Sequence, residues 1–312
     1  MEMKACGLCG TDIEKLHGQY TAAMPVLGHE AVGVVAGVGS GVTEFRAGDR
    51  VFPHHHVPCR RCYFCRRGSE TMCRRYRTSN LVPGGFSEFF IVPSWNVAGG
   101  GVLRLPQTVG FAEGAMIEPV ACCLRALDRC GARPGESALV VGAGPVGLVH
   151  ALLLDSMEAE VIVSDVNSAR LAFARDRAIE NTLDPRSVDV AESVKRLTGG
   201  RGADLAIVAS GSPRATVQAL RSVRKGGRVC LFGVPVKGSV LDYDFSDIFN
   251  SEVTMVTSYG ATEIETAKAL GLMASKLIDV RPLLTHKFPL GEFEKGVEVA
   301  SSGEGMKIII TP

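Results

Sequence analysis

The spacing of apolar positions changes character along the chain. Up to about residue 95 they fall in short runs broken by glycine: EAVGVVAGVGS reads as a strand bent by its glycines, DRVFP as another, and GGFSEFFIVP as a third with period-two alternation. Pro53, Pro58, Pro83 and Pro93 suit edges and turns rather than central strands, so this part predicts an irregular, mostly β domain. After Pro106 the period lengthens. Residues 111–130 predict a helix interrupted at Pro119, and GARPGESALVVGAGPVGLVHALLLDSMEAEVIVSD then gives turn, strand, glycine turn, helix and strand. Further alternation follows in ADLAIVAS, RATVQALRSV, GGRVCLFG, SEVTMVTSYG and TEIETAKALGLMASK, enough for a doubly wound α/β sheet. From about Pro282 the pattern departs and closes on MKIIITP, a strand expected to return to the first domain. The expected division is residues 1–120 completed by 271–312, with 121–270 as the α/β domain.

Composition narrows the function classes. With 312 residues, 46% hydrophobic and 21% charged, the chain has room for two ordinary globular domains. Its formal net charge is +1, and the arginines Arg60, Arg61, Arg66, Arg67, Arg74, Arg75 and Arg77 read as a solvated face, so no nucleic-acid partner is expected. No run of 18 apolar residues exists to span a membrane, and without a signal peptide the expected location is cytoplasmic, with reduced cysteines.

Four of those cysteines carry chemistry. Cys59, Cys62, Cys65 and Cys73 sit within PCRRCYFCRRGSETMC, a spacing that lets four thiolates close on one tetrahedral zinc and leaves no position for a substrate. The glycine turn is Gly142, Ala143, Gly144, Pro145, Val146 and Gly147, placed between the strand ALVV and a helix. Its glycines permit a tight turn, backbone approach to a pyrophosphate and close packing of helix on strand, while the helix N-terminus offers N–H groups to phosphate. The next strand ends at Asp165, whose carboxylate suits a ribose diol and repels a ribose phosphate, so NAD is favoured over NADP; Arg170, on the following helix, softens the choice. Cys9, His29, Glu30 and Glu118 are thiolate, imidazole and carboxylate groups of the kind that hold a catalytic zinc with one position open. On the residues alone, Cys9 is equally a small core residue and His29 equally a satisfied hydrogen-bonding group.

CGLCGTD, GHEAVGVV, the four-cysteine lobe, EPVACCLRAL and VGAGPVG together resemble the zinc-dependent medium-chain alcohol and polyol dehydrogenase family, in the sorbitol, threonine and glucose dehydrogenase branch. The resemblance implies a GroES-like, mostly β catalytic domain and a Rossmann domain, with the active site in the cleft between them. It implies two zinc ions per chain and NAD. Cys9 and His29 match direct ligands of the catalytic zinc, the fourth place going to Glu30, Glu118 or water. Asp12 matches a carboxylate that orients His29. Thr11 matches the hydroxyl that takes the alcohol proton; its other reading is an N-cap for the helix at DIEKLH. Beyond Thr11 the relay stays open between Glu14 and His17, and one of His54, His55 and His56 is expected in the cleft.

The reaction implied is hydride transfer between NAD and a secondary alcohol, with a polyol or sugar-like substrate suggested by Thr11, Glu118 and His54. Threonine or a 2,3-diol stays open, as does a non-catalytic zinc-stabilised NAD(H)-binding protein. The resemblance further implies a homodimer or homotetramer, and roughly 25 to 30 residues ahead of the present start.

Overall fold

The computed structural model describes residues 1–18 and 26–312. In chain order its strands are β1 (Glu2–Leu8), β2 (Glu30–Val34), β3 (Arg50–Pro53), β4 (Val102–Arg104), β5 (Ser137–Val141), β6 (Glu160–Ser164), β7 (Asn181–Leu183), β8 (Ala203–Val208), β9 (Val223–Leu231), β10 (Thr254–Thr257), β11 (Leu284–Pro289) and β12 (Lys307–Thr311). The chain divides into two units, one of Met1–Ala121 with Gly260–Pro312, the other of Cys122–Tyr259.

The first unit is built on a sheet of order β11-β12-β1-β2-β3-β4. MKIIITP does return: Ile308, Ile309 and Ile310 of β12 pair antiparallel with Leu8, Gly7 and Cys6 of β1. Leu8, Ile308 and Ile310 form one apolar cluster, and Met3, Cys6, Ala31, Leu81 and Phe90 form another. Each large side chain so buried contributes roughly 1.5–3 kcal/mol. The expected strand GGFSEFFIVP is absent as an element. Its neighbourhood makes two isolated bridges, Glu2 to Phe89 and Val82 to Ile91, in a stretch bracketed by Pro83 and Pro93, which cannot donate to a ladder. The helix Glu263–Ala274, read from sequence with the alternating units, groups with this unit.

The second unit is a parallel sheet of order β10-β9-β8-β5-β6-β7. That is the doubly wound order of a dinucleotide fold, with the switch point between β5 and β8. β5 is buried along its whole length, as expected for a strand covered on both faces. Leu139, Ile162, Val194, Ala206, Val208 and Val229 lead its core. The interruption expected at Pro119 falls three to four residues earlier, at Ala115 and Met116: one helix spans Phe111–Gly114 and the next Ile117–Cys130, with Pro119 in its first turn, where a missing N–H costs nothing. Among the described residues no helix is long and apolar enough to cross a membrane.

Candidate functional site

β1 ends at Leu8 and hands Cys9, in extended conformation, to the helix Gly10–Leu16 as its N-cap residue. The helix therefore starts ahead of Thr11, which is not its cap. Asp12 does that work: it is wholly buried, and one carboxylate oxygen accepts the Cys9 N–H at 3.2 Å. The other accepts the Gly28 N–H at 3.1 Å and lies 3.4 Å from His29 Nδ1. One carboxylate thus fixes both the helix start and the imidazole that precedes β2. Gly28 has φ +77°, and a side chain there would meet the Phe86 backbone nitrogen at 2.4 Å.

Glu30 opens β2 opposite Gly7 of β1. A Cβ on Gly7 would stand 1.9 Å from Glu30 Oε2 and 2.8 Å from Lys307 Cε, so the glycine leaves space for a pair of side chains. That pair is ionic. Lys307, from β12 and 4% exposed, places its ammonium on the carboxylate of Glu30, itself 1% exposed. Lys307 went unnoticed in the sequence, although a lysine opening an apolar strand bound for the interior was the available signal. Ligand atoms of Cys9, His29 and Glu30 all lie within 4.8 Å of one another. The Thr11 hydroxyl donates to Cys9 Sγ at 3.2 Å.

The electrostatics follow from burial and neighbours. Burial opposes charge on Asp12, but His29 and the two N–H groups outweigh it and hold the carboxyl below its usual range. Burial likewise opposes charge on His29, and Asp12 and Cys9 outweigh it, raising the imidazole well above its usual value. Glu30 is pushed up by burial against the pull of Lys307. Lys307 is held up by Glu30 despite its own burial.

Glu118, in the first turn of the helix Ile117–Cys130, is buried and lies with His54 and His55, their ligand atoms within 4.8 Å of one another. Burial brings His54 down to about 3 and His56 to about 4, and holds His55 well below its usual value. Asn96, also unremarked in the sequence, fixes this stretch: its amide donates to the carbonyls of His54 and His55 at 2.9 Å each. His56 turns elsewhere, with Nδ1 2.6 Å from the Ser79 carbonyl. Of the two relay candidates, Glu14 is half-buried and His17 is exposed at the carboxyl end of its helix.

In the cysteine lobe, Sγ of Cys59 and Cys65 are 4.0 Å apart and those of Cys62 and Cys65 3.5 Å apart, while the Cys59 N–H points to Cys73 Sγ at 3.4 Å. Four sulfurs about 2.3 Å from a tetrahedral zinc stand about 3.8 Å from one another, so the donor set fits that ion. Cys59 is brought down to about 6, first by the Arg61 backbone N–H, and burial raises Cys65 to about 12. Tyr76, beneath the lobe, donates its hydroxyl to the Ala261 carbonyl at 2.8 Å.

The glycine turn follows β5. Gly142 has φ +109°, and a Cβ on Gly147 would fall 1.8 Å from the Gly142 carbonyl oxygen, so helix and strand approach as closely as the motif requires. Pro145 is the first residue of the helix Pro145–Asp155 and Val146 the second; Gly144 caps it without a side chain, leaving its N–H groups open to a phosphate. Asp165 reaches back to the turn, one oxygen accepting the Ala143 N–H at 2.6 Å and the other the Asn167 N–H at 2.7 Å. A carboxylate keeps acceptor capacity beyond two bonds, enough for a ribose diol. Arg170 extends over the same turn, a guanidinium nitrogen 3.7 Å from where a Gly144 Cβ would be. These features fit a dinucleotide.

Comparison with known proteins agrees with this chemistry. Residues 1–106 match the alcohol dehydrogenase GroES-like domain and residues 145–275 match the zinc-binding dehydrogenase domain. A sorbitol dehydrogenase of Halalkalibacterium halodurans is 31% identical over 317 residues, covering 100% of this chain and 91% of that enzyme. An L-threonine 3-dehydrogenase of Idiomarina loihiensis is 31% identical, covering 99% of this chain and 91% of its own. The solved structure of an alcohol dehydrogenase from Thermotoga maritima superposes with a TM-score of 0.89 at 25% identity, covering 100% of this chain and 91% of that one.

Proposed function

Because the chain belongs to the zinc-binding medium-chain dehydrogenase/reductase superfamily, in its sorbitol/threonine/galactitol dehydrogenase-like branch, we propose that it oxidises a secondary alcohol of polyol or sugar-like kind, and reduces the ketone in reverse, with NAD as the preferred partner. The observation that carries this reading is the convergence of Cys9, His29 and Glu30 within 4.8 Å, with the Thr11 hydroxyl 3.2 Å from the Cys9 sulfur.

Cys9, His29 and Glu30 would hold the catalytic zinc, Glu118 standing near as a further carboxylate, and the four lobe cysteines a structural one. Bound there, the catalytic ion supplies a Lewis acid that acidifies an alcohol, and NAD supplies the hydride acceptor. The residues do the rest. Asp12 keeps His29 Nδ1 engaged and so aims the other ring nitrogen at the ligand cluster. The Thr11 hydroxyl, which at rest donates to the Cys9 sulfur, would relay the alcohol proton, its oxygen accepting it as its own hydroxyl proton passes to a further acceptor. Lys307 balances the charge of Glu30 and holds that carboxylate in place. The glycine turn binds the pyrophosphate, Asp165 the adenosine ribose diol, and Arg170 the same end of the cofactor.

A homodimer or homotetramer suits the second unit: β10 is an edge strand, and Val236, Val240, Phe245 and Phe249 are all more than two-thirds exposed nearby in sequence.

The test is NADH formation by zinc-replete protein given sorbitol, xylitol, glucose, threonine, butane-2,3-diol and simple secondary alcohols. Turnover concentrated on the polyols supports the reading; turnover on threonine alone replaces its substrate class, and silence across the panel in protein holding two zinc ions overturns it.

A further inference from the structure

The helix Ile117–Cys130 ends against β9 and β10, and two arginines pin that end on either side of Cys230. Arg228 stands two residues before Cys230 on β9, hence on the same face of the sheet. Its Nη1 donates to the Cys130 carbonyl at 3.0 Å and also to that of Gly131. From the helix side, Arg129 Nε donates to the Thr257 carbonyl at 2.9 Å, and Thr257 is paired with Leu231, the residue that follows Cys230. Gly131, at φ +60°, then turns the chain away. Cys130 is so held against Cys230, and the two side chains share a hydrogen bond. Cys130 is 4% exposed and Cys230 wholly buried.

A buried cysteine by itself is a small apolar side chain. Two that face each other beside two guanidinium groups are a different arrangement. The hydrogen bond from Cys230 lowers the Cys130 thiol in spite of burial, and the charges of Arg228 and Arg129 add to it. Cys230, as the donor in that bond and by its burial, is raised. One sulfur is prepared as the nucleophile while the other keeps its proton. Cys123, two turns earlier on the helix, gives its thiol to the Val146 carbonyl at 3.6 Å. Among the described residues, neither Cys130 nor Cys230 belongs to a cluster of metal-ligand groups.

We propose that Cys130 and Cys230 are a redox-active dithiol of the second unit, which hydrogen peroxide closes reversibly to a disulfide. The Cys130 thiolate attacks one peroxide oxygen, the O–O bond breaks, and water leaves, so that Cys130 becomes a sulfenic acid. The Cys230 sulfur then displaces that hydroxyl, which departs with the Cys230 proton as a second water. The sulfurs together lose two electrons, and one peroxide is reduced to two waters. The new bond ties the end of the helix to β9 and closes a loop of roughly 100 residues.

The test uses zinc-loaded protein with its zinc counted. It is treated with a small excess of hydrogen peroxide, alkylated in denaturant, digested and mapped by mass spectrometry. The expected result is the loss of two thiols per chain, a peptide pair linked through Cys130 and Cys230, unchanged zinc, and return of both thiols with dithiothreitol. Cys230→Ser should halt at a sulfenic acid on Cys130, trapped by dimedone. Cys130→Ser should leave Cys230 as a thiol, oxidised at least about tenfold more slowly. The inference is overturned if peroxide instead oxidises the lobe cysteines and releases zinc, if Cys130 is linked to Cys122 or Cys123, or if Cys130 in Cys230→Ser takes no dimedone. Should a variant lose its circular dichroism, the linkage map of the unaltered protein decides. These readouts need no turnover, so they stand apart from the dehydrogenase assay.

Discussion

Replacing Lys307 by methionine breaks the buried Glu30–Lys307 charge pair beside the ligand cluster. The substitution keeps the length and apolar stem of the side chain and removes the ammonium, leaving a Glu30 carboxylate that is 1% exposed without its counter-charge. Breaking a buried pair from one side costs about 3–5 kcal/mol, far more than the pair's net worth, because the remaining ion stays desolvated. The assay is urea unfolding of zinc-stripped protein at pH 7, followed by tryptophan fluorescence. Trp95 is the chain's single tryptophan, lies in the first unit and donates its indole N–H to the Val57 carbonyl at 3.0 Å, so its signal reports that unit alone. The urea midpoint should fall by about 1 M or more. The double variant Glu30→Gln with Lys307→Met, which removes both charges, should recover most of the loss. The pH dependence has a fixed sign. Glu30 in the folded protein titrates above its usual 4.5, so between that value and the folded one the folded state binds more protons. The penalty of Lys307→Met is therefore full above the raised folded value and shrinks as pH falls toward 4.5. A loss below about 1 kcal/mol, or a double variant no better than the single one, would refute the assignment of Lys307 as the counter-ion of Glu30.

Cys9→Ser should abolish turnover and remove one zinc per chain while Trp95 emission stays unchanged, and wild-type activity would reject Cys9 as a ligand. Asp165→Ala should weaken NAD about tenfold or more and NADP less, measured by fluorescence titration; an equal loss for both cofactors would remove the ribose role. His150→Leu addresses the second unit, where a wholly buried imidazole stacks edge-on against Phe232 and neither ring nitrogen has a hydrogen-bond partner among the described residues. It should raise stability by about 1–3 kcal/mol in calorimetry. Burial lowers His150 to about 3 from 6.5, so the unfolded chain takes up the proton first and the original protein loses up to about 1.4 kcal/mol per pH unit across that window. The leucine variant should lack this slope, and an unchanged slope would exonerate His150.

What could be read from the sequence was local. The cysteine lobe and the glycine turn each close over a few residues, so spacing alone carries their geometry, and Asp165 follows one βα unit later. Asp12 and Thr11 sit beside Cys9 in one helical turn, and their placement follows once that turn forms. Lys307 stood out only as a lysine opening an apolar strand; its partner is at the other end of the chain, brought close by the pairing of β12 with β1. Glu118 was read as one more carboxylate for Cys9 and His29; that it falls with His54 and His55 depends on how the helix Ile117–Cys130 meets the end of β3. The run of three histidines was expected to split its roles. Asn96 decides how, holding His54 and His55 together while His56 turns to Ser79. GGFSEFFIVP had the alternation of a strand, but it meets its neighbours only at isolated bridges from Phe89 to Glu2 and Ile91 to Val82, which periodicity does not reveal.

β12 has a bearing on how this chain comes off the ribosome. It lies between β11 and β1 in the first sheet and supplies the ammonium that Glu30 needs. Nascent chains usually complete their earliest-made domain first. Here the residues first synthesised must wait, with Cys9, His29 and an unbalanced Glu30 in place, until Lys307–Thr311 have emerged, whereas Cys122–Tyr259 has every strand of its sheet well before that. The half made later is then the first to have every strand of its sheet, while the half made earlier waits for the end of the chain.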